Sequence, residues 1–258
     1  MKLKERFDLV IFDWAGTMVD FGCVAPVKAL IAAFAQEDVA ITEAAARRDM
    51  GKTKRDHLLG LLSNPEVNGA WRSRHGRTPD ERDIESLMGR LGPLMRANAE
   101  QAATLIPGAR ETFDRVRAAG LRVGSSTGYT REMMQPVLAR AAEQGYLPEH
   151  VVCSGETPTG RPTPLMIYKA CAELGVWPLS RVLKVDDAEA GIAEGKAAGA
   201  FTVGVASGNT LGLSPEAFEA LAPVERASRV RAAREVLRAA GADLVIDSVA
   251  ALVPALEA

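Results

Sequence analysis

The chain has 258 residues, 47% of them hydrophobic and 25% charged, with a formal net charge of -2. This is an ordinary globular composition, long enough for one large domain or for a core carrying one insertion. The near-neutral balance gives no reason to expect nucleic acid or a membrane surface as a partner, since either would favour a basic excess. No apolar stretch approaches the roughly 18 residues that would suggest a membrane span. Cys23, Cys153 and Cys171 are odd in number, far apart and without CxxC spacing, which argues against both a disulfide framework and a zinc site. The beginning, MKLKERFDLVIF, runs from a few charges straight into a short apolar run, with no secretory h-region or cleavage site. The expectation is a cytoplasmic protein with reduced thiols.

In chain order, the first short apolar run is Leu9–Phe12, which ends on Asp13 and passes at once into the small residues of WAGT. From about Cys23 to Ala103 nothing reads as a strand, but Ala25–Gln36, Thr42–Arg48, Asp56–Leu62 and Asp80–Glu100 read as helices. Pro107-Gly108 then punctuates the return to alternation. Helix Arg110–Ala119 leads to strand Leu121–Gly124, followed by helices Met133–Gln144 and Pro164–Leu174. Strand Val182–Val185, helix Ala190–Ala198 and strands Phe201–Ala206 and Leu244–Ile246 complete the series. The Arg- and Ala-rich segment Arg226–Arg238 reads as a solvated helix face. Strands alternating with helices predict an α/β fold with a Rossmann-like, doubly wound parallel sheet. The expected division is a core of residues 1–22 and 104–258, with an all-helical cap, 23–103, inserted after the first strand.

Ligands bind at the carboxyl ends of such strands, and the polar residues there form a set. Asp13 follows the first strand, Ser125-Ser126-Thr127-Gly128 the second, and Asp186-Asp187 the run Leu183-Lys184-Val185. Arg161 lies in the loop TGRPTP ahead of a helix. Singly, Asp13 and Thr127 are as well explained as helix caps and Arg161 as a surface charge. Adjacent carboxylates at a strand end are harder to dismiss, because they repel unless a cation or solvent compensates. The order carboxylate, hydroxyl, cation, carboxylates resembles that of the haloacid dehalogenase superfamily of phosphoryl-transfer enzymes. That resemblance implies carboxylates holding Mg²⁺, a hydroxyl and a cation gripping a phosphoryl group, and Asp13 attacking phosphorus.

The superfamily's phosphatases usually carry a second Asp two residues after the nucleophile, as general acid for the leaving alkoxide. Here that position is Ala15. A carbon leaving group removes the need for such an acid but requires an electron sink, which an amine supplies by forming an imine. Candidate amines lie in MGKTKRDH, residues 50–57, where Arg47, Arg48, Lys52, Lys54, Arg55 and His57 crowd together. Neighbouring positive charge and burial would both lower a lysine pKa.

With that module the sequence resembles the phosphonoacetaldehyde hydrolases (phosphonatases) in particular. The matching stretches are FDWAGTMVDFG, MGKTKRDH, GSSTGYTREMM, EQGY, GRPTP, KVDDAEAGIAEG and AGAFTVGVASGN. The resemblance implies Asp13 as nucleophile and Lys54, rather than Lys52, as Schiff-base lysine. It implies Mg²⁺ ligands at Asp13, the Ala15 carbonyl and Asp187, and phosphonate contacts from Thr127, Gly128 and Arg161. His57, Met50, Cys23 and Tyr129 match positions around the aldehyde pocket. It further implies a homodimer joined through cap helices, acting on a small phosphonate. One departure stands out. Many superfamily members read GDxxxD in the last motif, whereas here Asp186 takes the glycine's place and Gly191 the final acid's. Asp186 or Glu189 is then expected to supply the acid behind the metal ligands. The rival readings are a superfamily phosphatase or dehalogenase with another substrate, which Ala15 and the paired carboxylates respectively oppose, and a non-catalytic binding module, which the retained site residues oppose.

Overall fold

The structure, a computed structural model, describes residues 3–98 and 102–258. Its centre is a six-stranded, wholly parallel sheet in the order β3-β2-β1-β4-β5-β6. The strands are β1 Leu9–Phe12, β2 Arg122–Thr130, β3 His150–Ser154, β4 Val182–Asp186, β5 Phe201–Val205 and β6 Leu244–Ile246. All four residues of β1 are buried, which is why Leu-Val-Ile-Phe is an unbroken apolar run rather than an alternating one. β1 pairs with β2 on one side and β4 on the other, Phe12 lying level with Ser125 and Val185. The residues just beyond Phe12 therefore emerge at the middle of the sheet's carboxyl edge, between the ends of the two neighbouring strands.

Five of the six strands fall where the apolar runs predict them. The edge strand β3 was not anticipated, because HVVCS opens and closes on polar residues and only Val152 and Cys153 are buried. A second difference matters more for function. Ser125-Ser126-Thr127-Gly128 is not a loop after the second strand but lies inside β2, which continues to Thr130. Three consecutive hydroxyl residues are tolerated in this buried strand because each finds a polar partner. Ser125 accepts from the Trp14 indole at 2.6 Å, Ser126 meets Lys184 and Glu194, and Thr127 accepts from the Tyr129 amide at 3.2 Å.

Between Val24 and Ala97 the described residues form five helices: Val24–Ala35, Glu43–Arg47, Lys54–Ser63, Pro65–His75 and Glu81–Ala97. Their starts are written in the sequence. Thr42, Thr53, Asn64 and Asp80 each accept a hydrogen bond from a first-turn amide, and Asp80 with Asp83 completes a capping box. Helix Pro65–His75 was not expected, although Asn64-Pro65 is a good start signal. Its face is mostly polar, with only Val67 and Trp71 buried. The last two residues of the helix expected over Asp80–Glu100 lie outside the described residues. The helices share an apolar interior in which Phe34 and Trp71 meet edge-on at 6.3 Å. Where the chain leaves and re-enters the sheet layer, the Asp20 amide donates to the Thr104 carbonyl at 3.0 Å. Gln144 of the EQGY stretch ties the return path down, bonding Leu105 and Ala103 at 3.0 and 2.7 Å. Tyr146 of the same stretch packs on Trp14 at 5.0 Å, steadying the residue beside Asp13.

Candidate active site

Asp13 stands at the sheet edge with its amide bonded to the Val185 carbonyl at 2.9 Å, and its side chain is buried. The Arg161 guanidinium comes from the loop before helix Leu165–Leu174 and reaches Asp13 Oδ1 at 2.8 Å. Asp187, one residue past β4, is held from two sides. The Thr17 hydroxyl donates to Oδ1 at 2.8 Å and the Asn209 amide to Oδ2 at 2.6 Å. Gly16, at φ +89°, and Gly208 press so close to Asp187 that a Cβ on either would overlap its carboxylate. The DWAGT and ASGN stretches thus form a cradle for one carboxylate.

Asp13, Asp186 and Asp187 bring carboxylate oxygens within 4.8 Å of one another. Burial, joined by Asp186, pushes Asp13 up to about 6 despite Arg161. Burial and the two neighbouring carboxylates push Asp187 well above the usual range. Asp186 goes the other way, because Lys184 at 2.9 Å and Arg161 at 3.5 Å outweigh the effect of burial. With Glu194, four buried carboxylates face two paired cations, Arg161 and Lys184. Hard oxygen donors crowded together in this way suit a divalent cation such as Mg²⁺, and positive charge placed among them would lower both raised carboxyl groups.

The helical segment supplies the other side of the site. Asp13, Ala15, Cys23, Met50, Lys54, Thr127, Gly128, Tyr129, Arg161 and Asp187 line a single pocket, together with Gly51, Lys52 and Ala188. Ala15 brings no titratable group to it. The turn 50–53 lies directly on the sheet's loops. The Gly51 carbonyl accepts from Arg161 Nη1 at 3.4 Å, and Lys52's carbonyl occupies the space that a side chain at Gly128 would need. Thr53 caps the helix that begins with Lys54, and Lys54 points inward, 3% exposed, its ammonium 4.8 Å from the centre of the Tyr129 ring. Burial brings Lys54 down to about 8. Cys23 and Asp13 resist that shift and Arg161 adds to it.

The crowd of cations expected to depress Lys54 is therefore not the cause. Lys52 pairs with Asp49, Arg47 with Glu43 and Arg55 with Glu81, so each of these cations has an acid of its own. Among the described residues Lys54 has no ion-pair partner. His57 does not line the pocket. It lies buried one turn beyond Lys54, its Nε2 donating to the Ala46 carbonyl at 2.8 Å, and burial followed by Lys54 takes it down to about 3, so it is neutral. Asp186 does not line the pocket either and faces Lys184 and Arg161 behind it. Of the two acids expected there, Glu189 is exposed on the first turn of its helix, while Asp186 is buried in place.

Sequence reading missed Glu194 and Lys184, both fully buried behind Arg161, and gave Ser126 a place in the strand-end set without the part it plays in joining them. A usable signal was present. Lys184 in the middle of an apolar strand, and Glu194 in line with two helical glycines, are charges that an inward-facing position must pair.

A haloacid dehalogenase-like hydrolase family model matches residues 7–199. Among curated relatives, phosphonoacetaldehyde hydrolase of Paraburkholderia phytofirmans is 47% identical over 95% of this chain and 92% of its own length. The protein of the same name from Syntrophobacter fumaroxidans is 42% identical over 93% and 87% respectively. A crystal structure of a phosphonoacetaldehyde hydrolase-like protein from Oleispira antarctica superposes with a TM-score of 0.94 at 42% identity, covering 98% of this chain and 91% of that one.

Proposed function

The chain belongs to the haloacid dehalogenase-like hydrolases and, within them, to the phosphonoacetaldehyde hydrolases, and from this premise we infer that it hydrolyses the carbon–phosphorus bond of phosphonoacetaldehyde to acetaldehyde and phosphate. The observation that carries the mechanism is Lys54: a buried amine without an ion-pair partner among the described residues, lowered to about 8, in the same pocket as Asp13 and Arg161 and beside an Ala15 that offers no acid.

Lys54 as free amine attacks the aldehyde carbon, water departs to leave an imine, and the imine nitrogen takes up a proton from solvent. Asp13 attacks phosphorus in line. The electrons of the carbon–phosphorus bond pass into the iminium, leaving an enamine on Lys54 and phosphate on Asp13. The enamine takes a proton at carbon, and water releases acetaldehyde and restores the amine. A second water then frees phosphate from Asp13. Arg161, Thr127 and the Gly128 amide hold the phosphonate. Met50, Cys23 and Tyr129 wall the aldehyde side, and His57 supports the Lys54 helix from behind.

Asp13, the Ala15 carbonyl and Asp187 would hold Mg²⁺, with Asp186 behind them. Bound there, the cation would offset the negative charge that otherwise keeps an anionic nucleophile from an anionic substrate. We take residues 1–22 and 104–258 as catalytic core and 23–103 as cap, so that cap closure brings Lys54 to the core and excludes water from the first step. A homodimer joined through the cap is supported by the family resemblance, and a cytoplasmic setting by three buried, unbridged cysteines. No helix among the described residues is long and apolar enough to cross a membrane.

The direct test is product analysis. Phosphonoacetaldehyde should give acetaldehyde and phosphate in equal amounts, and simple phosphate monoesters should not be turned over at a comparable rate. Efficient ester hydrolysis without carbon–phosphorus cleavage would overturn the reading.

A further inference from the structure

Arg161 is one of the most heavily engaged side chains in the molecule, and only part of its bonding faces the pocket. Its Nη2 meets Asp13 Oδ1 at 2.8 Å, the Ser126 carbonyl at 2.6 Å and the Ser126 hydroxyl at 3.0 Å. Its Nη1 makes one long contact among the described residues, to the Gly51 carbonyl at 3.4 Å. The remaining nitrogen, Nε, donates to Glu194 Oε2 at 2.9 Å, away from the pocket. Glu194 Oε2 also accepts from the Ser126 hydroxyl at 3.0 Å and lies 3.3 Å from Lys184 Nζ.

We propose that Glu194 is a positioning residue for Arg161: by gripping Nε it fixes the rotation of the guanidinium, keeping Nη2 on Asp13 and Nη1 turned to the pocket and the cap turn. Arginine has a long, rotatable stem, and a planar fork is useful only when its plane is set. A charge-assisted bond to Nε sets that plane without consuming either Nη group. The fold goes to some trouble to bring Glu194 there. Its helix, Glu189–Ala198, carries Gly191 and Gly195 on the side turned to β4. A Cβ at Gly191 would overlap the Asp186 carboxylate, and one at Gly195 would come within 2.9 Å of the Lys184 stem. Two helix-weakening residues in a helix of ten are the cost of that close approach.

Lys184 has a distinct part. Without it, Glu194 and Asp186 would compete for Arg161, since Asp186 Oδ2 is already 3.5 Å from Nη2. Lys184 lies 2.9 Å from Asp186 and 2.9 Å from the Ser126 hydroxyl, so it occupies the acid that could draw Arg161 out of register.

The proposal rests on the reading of Arg161 as a phosphonate contact, and calorimetric titration of the Mg²⁺-loaded protein with inorganic phosphate separates the two. Arg161→Lys keeps a charge but has no Nε–H, and it should weaken phosphate binding. If it does not, the reading of Arg161 fails. Glu194→Ala should weaken phosphate binding about tenfold in the wild-type background and less than twofold in the Arg161→Lys background. Equal losses in both backgrounds, or affinity within twofold of wild type, would overturn the positioning role. Should the alanine variant not fold, Glu194→Gln keeps the shape and removes the charge. A loss of about threefold or more is expected there, and an unchanged affinity overturns the proposal. Borohydride trapping of acetaldehyde on Lys54 should proceed at the wild-type rate in every Glu194 variant. A parallel fall in trapping would mark Glu194 as general scaffolding and sink the assignment.

Discussion

The sheet edge and the helical segment each bury a lysine, and the two have opposite surroundings. Lys184, in the middle of β4, is fully buried and satisfied by Asp186, Glu194 and the Ser126 hydroxyl. Lys54, at the start of a helix, is almost as buried, but no carboxylate pairs with it among the described residues, and it faces an aromatic ring, a thiol and the pocket. A buried lysine with partners is a structural cation whose charge holds acids together. A buried lysine without them has its charged form disfavoured and becomes available as an amine. On the proposed mechanism the chemistry would be divided accordingly: the sheet edge would compensate charge around phosphorus, and the helical segment would deliver one nucleophilic nitrogen.

Replacing each lysine by methionine should separate the two roles most sharply. Lys54→Met is expected to abolish carbon–phosphorus cleavage, by a factor on the order of 10⁴ or more, while raising stability. The sign follows from linkage. Burial brings the pKa of Lys54 down to about 8 in the folded protein from the ordinary lysine value of 10.5, so its burial costs stability in full below about pH 8. That cost fades as the pH rises toward the unfolded value. Thermal melts at pH 7 should therefore show the variant more stable than wild type, with the gap narrowing above pH 8. A destabilised Lys54→Met would show that the amine is structurally paired after all. Lys184→Met should do the reverse, losing about 3–5 kcal/mol of stability because it leaves Asp186 and Glu194 without their counter-charge. Chemical denaturation measures this, and a loss below about 1 kcal/mol would break the contrast.

The meeting of the two regions can be tested next. In Gly128→Ala the new Cβ runs into the Lys52 carbonyl and should hold the helical segment off the sheet edge. A displacement of about 1 Å is enough for a loss of about a hundredfold in kcat/KM, with trapping on Lys54 reduced in parallel. Full activity would mean that the turn 50–53 does not seat on Gly128 during catalysis. The mildest effect is on pH dependence. The free-amine fraction of Lys54 should rise about tenfold per pH unit below about 8 and level off above it. Single-turnover imine formation should follow that curve, and a flat profile from pH 6 to 8 would assign the nucleophile elsewhere.

Much of this arrangement was legible in the residues. The apolar runs located five of the six strands, and Asp13, Arg161 and Asp187 stood out as polar groups at strand ends. The pocket also gathers Lys54, Thr127, Gly128, Met50, Cys23 and Tyr129, which the family resemblance singled out. The cation crowd near Lys54 was misleading, because sequence proximity says nothing of pairing: Lys52, Arg47 and Arg55 each meet an acid of their own. Ser125-Ser126-Thr127 resembled a loop because polarity is a poor guide where every hydroxyl is paired inside a strand. Glu194 was hidden for a related reason. Its partner Arg161 is thirty-three residues away, and only the packing of its helix onto β4 brings them together.

In the proposed reaction Lys54 becomes covalently joined to the substrate carbon while Asp13 takes the phosphorus. Incubation with phosphonoacetaldehyde and borohydride, followed by peptide mapping, reads out the first of these bonds. A reduced two-carbon adduct is expected on Lys54 alone, absent from Lys54→Arg, which should also be inactive. No adduct, an adduct on Lys52, or an active Lys54→Arg enzyme would rule out Lys54 as the Schiff-base lysine.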